Sequence, residues 1–315
     1  RVSGFGVASK AAEAVAAPAV PAAPVPRSSA PAAAAHATAA PPPARAGAPG
    51  IRGATLDFDA TQAGGSAALA IANGALDFPG VFEDPVIPVD QLSAQLVWKV
   101  DGNKSQLQVS GLKFANADAE GEAQASWRTS DPASSGSRSR FPGVLDLQGK
   151  LTRADGTRVF RYLPQHIPKE TRDYVRDAVQ KGTASAVDFK VKGDLYDMPF
   201  TDPKQGDFRI AARVADVYYA YVPPLAGSAK NWPALSGLSG ELVFERAGMQ
   251  VRNARGRLVG APGIEVIKAE AQIPDMGHHA SLLKVDAQAK GPLAELLRAG
   301  APLAGEAGPT LANAR

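Results

Sequence analysis

Two stretches decide the fold, VDFKVK at 187–192 and DFRIAARV at 207–214. In the first, Val187, Phe189 and Val191 alternate with Asp188, Lys190 and Lys192. In the second, Phe208, Ile210, Ala212 and Val214 alternate with Asp207, Arg209 and Arg213. Successive side chains of a strand point to opposite sides, so this period of two predicts strands with one apolar and one charged face. Outward from there the rhythm recurs at Leu92, Ala94, Leu96, Trp98 and Val100, at Leu145 and Leu147, at Leu242 and Phe244, and at Leu283, Val285, Ala287 and Ala289. Each run ends in Gly, Asp-Gly, Ala-Gly or Pro turn chemistry. Between Leu56 and Ala289 this predicts about a dozen short strands in an antiparallel meander. At ~4.8 Å per strand, one such sheet extends roughly 60–70 Å.

Composition bounds the alternatives. The 315 residues contain no cysteine, which excludes thiol enzymes, disulfide scaffolds and zinc-cysteine modules. A net charge of +3 is too small for a strongly basic nucleic-acid protein, so no nucleic-acid partner is expected. The 31 Gly, 26 Pro and 6% aromatic residues imply many turns and a core of small aliphatics. Arg1 is not an initiator and Ser3 to Val7 reads as the tail of a strand, so residues 1–10 are read as the end of a preceding strand in a longer protein. Residues 11–50 hold 19 Ala and 9 Pro, the composition of a disordered insert. The remainder, 51–315, is read as one elongated sheet domain with an exposed Ser-rich loop at 129–143. A short helix is expected at about 168–181, opened by Pro168 and stopped by Gly182, and a second after Pro292 at 293–297. Two echoes fit a repeating sheet: Leu92 to Trp98 recurs at Leu238 to Phe244, and Val187 to Leu195 at Val285 to Leu293.

Converging catalytic groups are missing from the pattern. Of the four histidines, His36 lies in the Ala/Pro stretch, His166 is read as a turn or cap residue, and His278 and His279 as a solvated loop. Gly237 to Glu241 misses the second glycine of a nucleophile elbow, and the glycines at 4, 6, 64 and 65 lack the helix and lysine of a phosphate loop. Asp57 and Asp59 alternate with Leu56 and Phe58 as a solvated face. Arg246, Arg252, Arg255 and Arg257 read as solvated cations, with headgroup contact as the alternative. Tyr218, Tyr219 and Tyr221 suit either a rim or core packing. No enzyme activity, metal or cofactor is therefore expected. What remains is a long apolar face that one helix cannot shield. Either two sheets close as a sandwich, or one sheet curls and leaves a trough suited to acyl chains.

Several blocks together resemble the AsmA-like superfamily of Gram-negative envelope proteins, in its very large YhdP-type branch. They are Leu76 to Phe82 with Pro88 to Trp98, Tyr162 to Pro164, the helix before Gly182, Gly193 to Leu195, Pro199-Phe200 with Gly206 to Phe208, and Trp232-Pro233. The Ala/Pro insert departs from the pattern. The resemblance implies a mainly β protein, a long curved antiparallel sheet shaped like a half-pipe with one or two short helices. It also implies a periplasmic portion of a protein anchored in the inner membrane, with phospholipid acyl chains in a hydrophobic groove and partner proteins at the inner and outer membranes. On that reading Trp98, Val187, Phe189, Val191, Phe208, Ile210 and Phe244 face the lumen. The expected function is a section of a conduit that carries phospholipids between the membranes and supports the outer-membrane permeability barrier. The alternative is a non-enzymatic envelope scaffold or assembly factor, with a hydrolase of periplasmic polymers a distant third.

Overall fold

Alternation this regular leaves each stretch one way to satisfy its backbone, by pairing with its neighbour. In a computed structural model that describes residues 2–7, 47–222, 233–277 and 281–300, thirteen strands form one sheet whose order is the order of the chain. The first seven are β1 Val2–Val7, β2 Gly50–Thr61, β3 Gly64–Asp77, β4 Val86–Asp101, β5 Lys104–Ala115, β6 Ala119–Arg128 and β7 Val144–Asp155. After a 3₁₀ turn, Gly156–Tyr162, and helix α1, Lys169–Ala178, come β8 Val179–Asp194, β9 Gly206–Tyr219, β10 Leu235–Glu245, β11 Gly248–Leu258, β12 Ala261–Ile273, β13 Lys284–Lys290 and helix α2, Leu293–Gly300. All twelve pairings are antiparallel, and β1 is not paired with β13, so the sheet stays open rather than closing into a barrel.

Turn chemistry sets the hairpins. Asp101 pairs with Lys104 around Gly102-Asn103, and Gly102 adopts φ +54°, the left-handed geometry that matches the twist of a two-residue hairpin. Inside the strands Asn73, Ala186, Asp216 and Asn253 also have positive φ, within or beside register shifts in the β2–β3 pairing and in β8, β9 and β11. These bulges bend the strands and increase their twist.

Two sequence expectations are corrected here. Helix α1 ends at Ala178, and β8 begins at once with Val179 pairing Tyr219; Gly182 lies inside that strand. Its role is close approach, because a Cβ there would meet the Val217 Cγ2 on β9 at 2.7 Å. The boundary at residue 50 also moves: Gly47 donates to the Pro79 carbonyl at 2.8 Å and Gly50 opens β2. Residues 8–46, with His36, and also Trp232, His278 and His279, lie outside the described residues.

The connection between β7 and β8 runs back across the strand ends to the β3–β4 loop. Gln165 donates its backbone N–H to the Val81 carbonyl and its side-chain amide to that of Phe82, each at 2.8 Å. Arg161 pairs with the buried Asp118 at 2.7 Å, and the Tyr162 hydroxyl donates to the same carboxylate at 3.0 Å. Burial pushes the Tyr162 phenol above its ordinary range. At the opposite end the 129–143 loop is tied down at its start. Ser130 and Ser135 donate to Asp194 at 2.7 and 2.8 Å, and both Thr129 and Ser130 are buried.

The densest packing lies on one face of β2 to β4, where Ala54, Ile71, Val89, Leu92 and Ala94 are buried against Leu96, Val109, Leu112 and Phe114. Among the described residues only fourteen hydrophobic side chains are buried, six of them alanine, which is far too few for a closed two-layer core.

Candidate functional site

Register determines which side chains share a face, because residues directly opposite in an antiparallel pair point the same way. Phe189 faces Ile210 across β8 and β9, Ile210 faces Phe244 on β10, and Phe244 faces Met249 and then Ile273. One row away, Leu96, Val109, Ala125, Leu147, Val191 and Phe208 run from β4 to β9. Trp98 heads a third row through Leu107, Trp127 and Leu145, ending at the Gly193–Gly206 pair. Val187 belongs to a fourth row with Leu151. All seven sequence-derived candidates therefore lie on one face. Phe189, Ile210, Phe244, Val191, Phe208 and Val187 are neighbours, whereas Trp98 sits apart on β4 with three strands between it and β8.

Only Val187, at 6% exposed, is buried; the other six keep intermediate exposure. That half-covered state is what a single sheet with no second sheet against it produces. The face is smoothed by aromatic rings laid over glycines. A Cβ on Gly65 would lie 2.7 Å from Trp98 Cζ2, and one on Gly149 would collide with the Phe189 ring. Phe200, fully buried in the β8–β9 connection, covers the backbone of Gly193 and Gly206, each of which would place a Cβ 2.7 Å from it. Rings lying flat on glycine backbone fill the gap that a missing side chain leaves in a sheet.

The reverse face is charged. Lys190 meets Asp207 at 2.8 Å, Lys192 meets Asp146 at 3.1 Å and Lys181 meets Asp216 at 2.6 Å. The Lys190 ammonium holds the Asp207 carboxyl below the usual carboxylate range. Asp188 is exposed on this side, as are Asp57 and Asp59. Arg252, Arg255 and Arg257 share it, with Arg252 opposite Glu241 and Arg257 opposite Glu265.

The remaining sequence candidates scatter. His166 is exposed before α1. Tyr219 shares a 2.7 Å hydrogen bond with Tyr174 of α1, and burial raises its phenol far above the ordinary value, so it ties α1 to β9. Ser239 lies within β10 and not at a strand-to-helix turn. Among the described residues no three His, Asp or Glu side chains cluster as a metal site would require, and no helix is long and apolar enough to cross a membrane. Sequence reasoning missed Trp127 and Met249 on the apolar face. The alternation Gly121, Ala123, Ala125, Trp127 carried the signal for β6, in residues too small to weigh much in hydrophobicity.

No curated protein and no solved structure matches the chain. The family model described as YhdP protein matches residues 33–314, which takes in every strand from β2 to β13 and both faces of the sheet. A match over nearly the whole length, on an open all-antiparallel sheet of this kind, shows that the chain belongs to the YhdP protein family.

Proposed function

We propose that this chain is a section of a periplasmic hydrophobic conduit of a Gram-negative envelope protein, anchored in the inner membrane elsewhere, that carries phospholipids between the inner and outer membranes and so supports the permeability barrier. Family membership supports the envelope setting. The observation that carries the lipid reading is the apolar face itself, which runs from β2 to β13, packs most densely on β2 to β4 and is half-buried to exposed over most of the strands beyond. Exposed apolar surface of this extent needs an apolar occupant. Acyl chains laid along the rows of Phe189, Ile210 and Phe244 hide from water at ~2.5 kcal/mol for every ~100 Å² covered. The headgroups stay at the rims, among the polar strand ends. No covalent step is involved: the track lowers the barrier to transfer by replacing water around the chains, and neither cofactor nor metal takes part. Protein partners at the two membranes would supply and remove the lipid.

The test is photo-crosslinking in cells with a photoreactive residue at Phe189, at Phe208 and, facing the other way, at Asp188. Phospholipid adducts at the two phenylalanines and none at Asp188 are expected. A folded, abundant protein without adducts at any of the three would move the chain to the scaffold reading.

A further inference from the structure

The charged face is not uniformly neutralised. A hollow of about 920 Å³ opens on it, over β4 to β9 at the end carrying the β6–β7 and β8–β9 connections. Lys99, Arg128, Lys190, Lys192, Lys204 and Arg246 line it, against Asp146 and Asp207 alone. Both carboxylates are already taken, Asp146 by Lys192 at 3.1 Å and Asp207 by Lys190 at 2.8 Å. Among the described residues Lys99, Arg128 and Lys204 have no carboxylate within ion-pairing distance, and the buried Arg246 Nε has no hydrogen-bond partner. The excess is therefore a local cationic field inside a concavity, where low-dielectric walls concentrate it.

We infer that this hollow docks an acidic, extended segment of a partner protein. The spread of the cations selects the occupant. From Lys99 on β4 to Arg246 at the end of β10 is six inter-strand spacings, ~29 Å at ~4.8 Å each, which no single phosphate bridges. An extended chain at ~3.3 Å per residue spans it in about nine residues. A flat membrane carries enough negative charge but cannot follow a hollow inward. The docking face is the reverse of the apolar one, so the inference stands whether or not lipid occupies the other side.

The test is fluorescence anisotropy of a labelled ten-residue polyglutamate peptide with the whole chain at low and physiological salt. Saturable, salt-sensitive binding is expected, weakened by at least ~10-fold in the double variant Lys99→Glu and Lys204→Glu. Arg255→Glu with Lys284→Glu makes the same charge change on the charged face outside the hollow and should leave affinity within about threefold. Should the glutamate variant lose its fold by circular dichroism, Lys99→Gln with Lys204→Gln is expected to weaken binding in the same direction. Three results overturn the inference: no saturable binding, equal loss in the two double variants, or phosphatidylglycerol vesicles or inorganic phosphate binding through Lys99 and Lys204 as well as the peptide does.

Discussion

Placing a carboxylate in the middle of the apolar face separates a lipid track from a mere sheet surface. Phe189 lies over Gly149, faces Ile210 and is half-buried, so Phe189→Asp removes the covered part of a phenyl ring, ~100 Å² or ~2.5 kcal/mol of stability. The effect on an occupant is larger in consequence. A chain crossing this row must either strip water from an ionised carboxylate, at several kcal/mol, or leave the row. Even ~2.8 kcal/mol reduces occupancy about 100-fold. The readout is adduct yield from a photoreactive residue at Phe208, one row away, in the Phe189→Asp background. Thermal unfolding confirms that the sheet persists. Phe189→Leu keeps the site apolar and should retain most of the yield, and Asp188→Asn on the reverse face should change nothing. Unaltered yield at Phe208 in a folded Phe189→Asp protein would refute the lipid track through these rows.

Three further outcomes follow from the packing. Phe200→Ala empties a fully buried site over Gly193 and Gly206 and should cost ~3–5 kcal/mol in denaturant unfolding, with a loss under 1 kcal/mol contradicting the interlock. Ala186, held at φ +48° in the β8 bulge, pays left-handed strain that glycine lacks, so Ala186→Gly should raise stability by ~0.5–1 kcal/mol; a drop would mean the bulge is not formed. Burial opposes ionisation of Asp194, but the hydroxyls of Ser130 and Ser135 and the Tyr196 N–H outweigh it and hold its carboxyl below the ordinary value. The stabilisation is complete above the unfolded carboxylate pKa of about 4 and disappears as pH falls through the lower folded value. Asp194→Asn should therefore flatten the acid limb of the stability profile below about pH 4 and speed hydrogen exchange in the 129–143 loop.

The legible part of the fold was the part where side chains contrast. Val187 to Lys192 and Asp207 to Val214 alternate apolar with charged residues, and each of those runs lies in a strand with the expected face. β3 and β6 were harder, because Ala67, Ala123 and Ala125 offer little contrast with Ser66, Glu122 and Gln124. β1 showed only as a strand tail. The end of α1 was misplaced because Gly182 satisfies a local stop signal equally well, while Val179 is drawn into β8 by its pairing with Tyr219, a contact forty residues away. The seven candidate residues came out on one face because register follows from alternation once neighbours pair in order. The glycine platforms beneath Trp98, Phe189 and Phe200 joined residues too far apart in sequence to be read together, as did the cationic hollow, assembled from strands spanning β4 to β10.

Strand order identical to chain order has a consequence for assembly. Every hairpin docks only on the one before it, so the sheet can be laid down progressively as the chain emerges, with no late segment required to close it. Length then becomes a modular quantity. Removing one hairpin, β5 with β6, preserves strand direction and the identity of both faces while shortening the track by two inter-strand spacings, ~10 Å. Distance between the two ends of such a protein is thus adjustable in hairpin-sized steps without redesign of the surface in between.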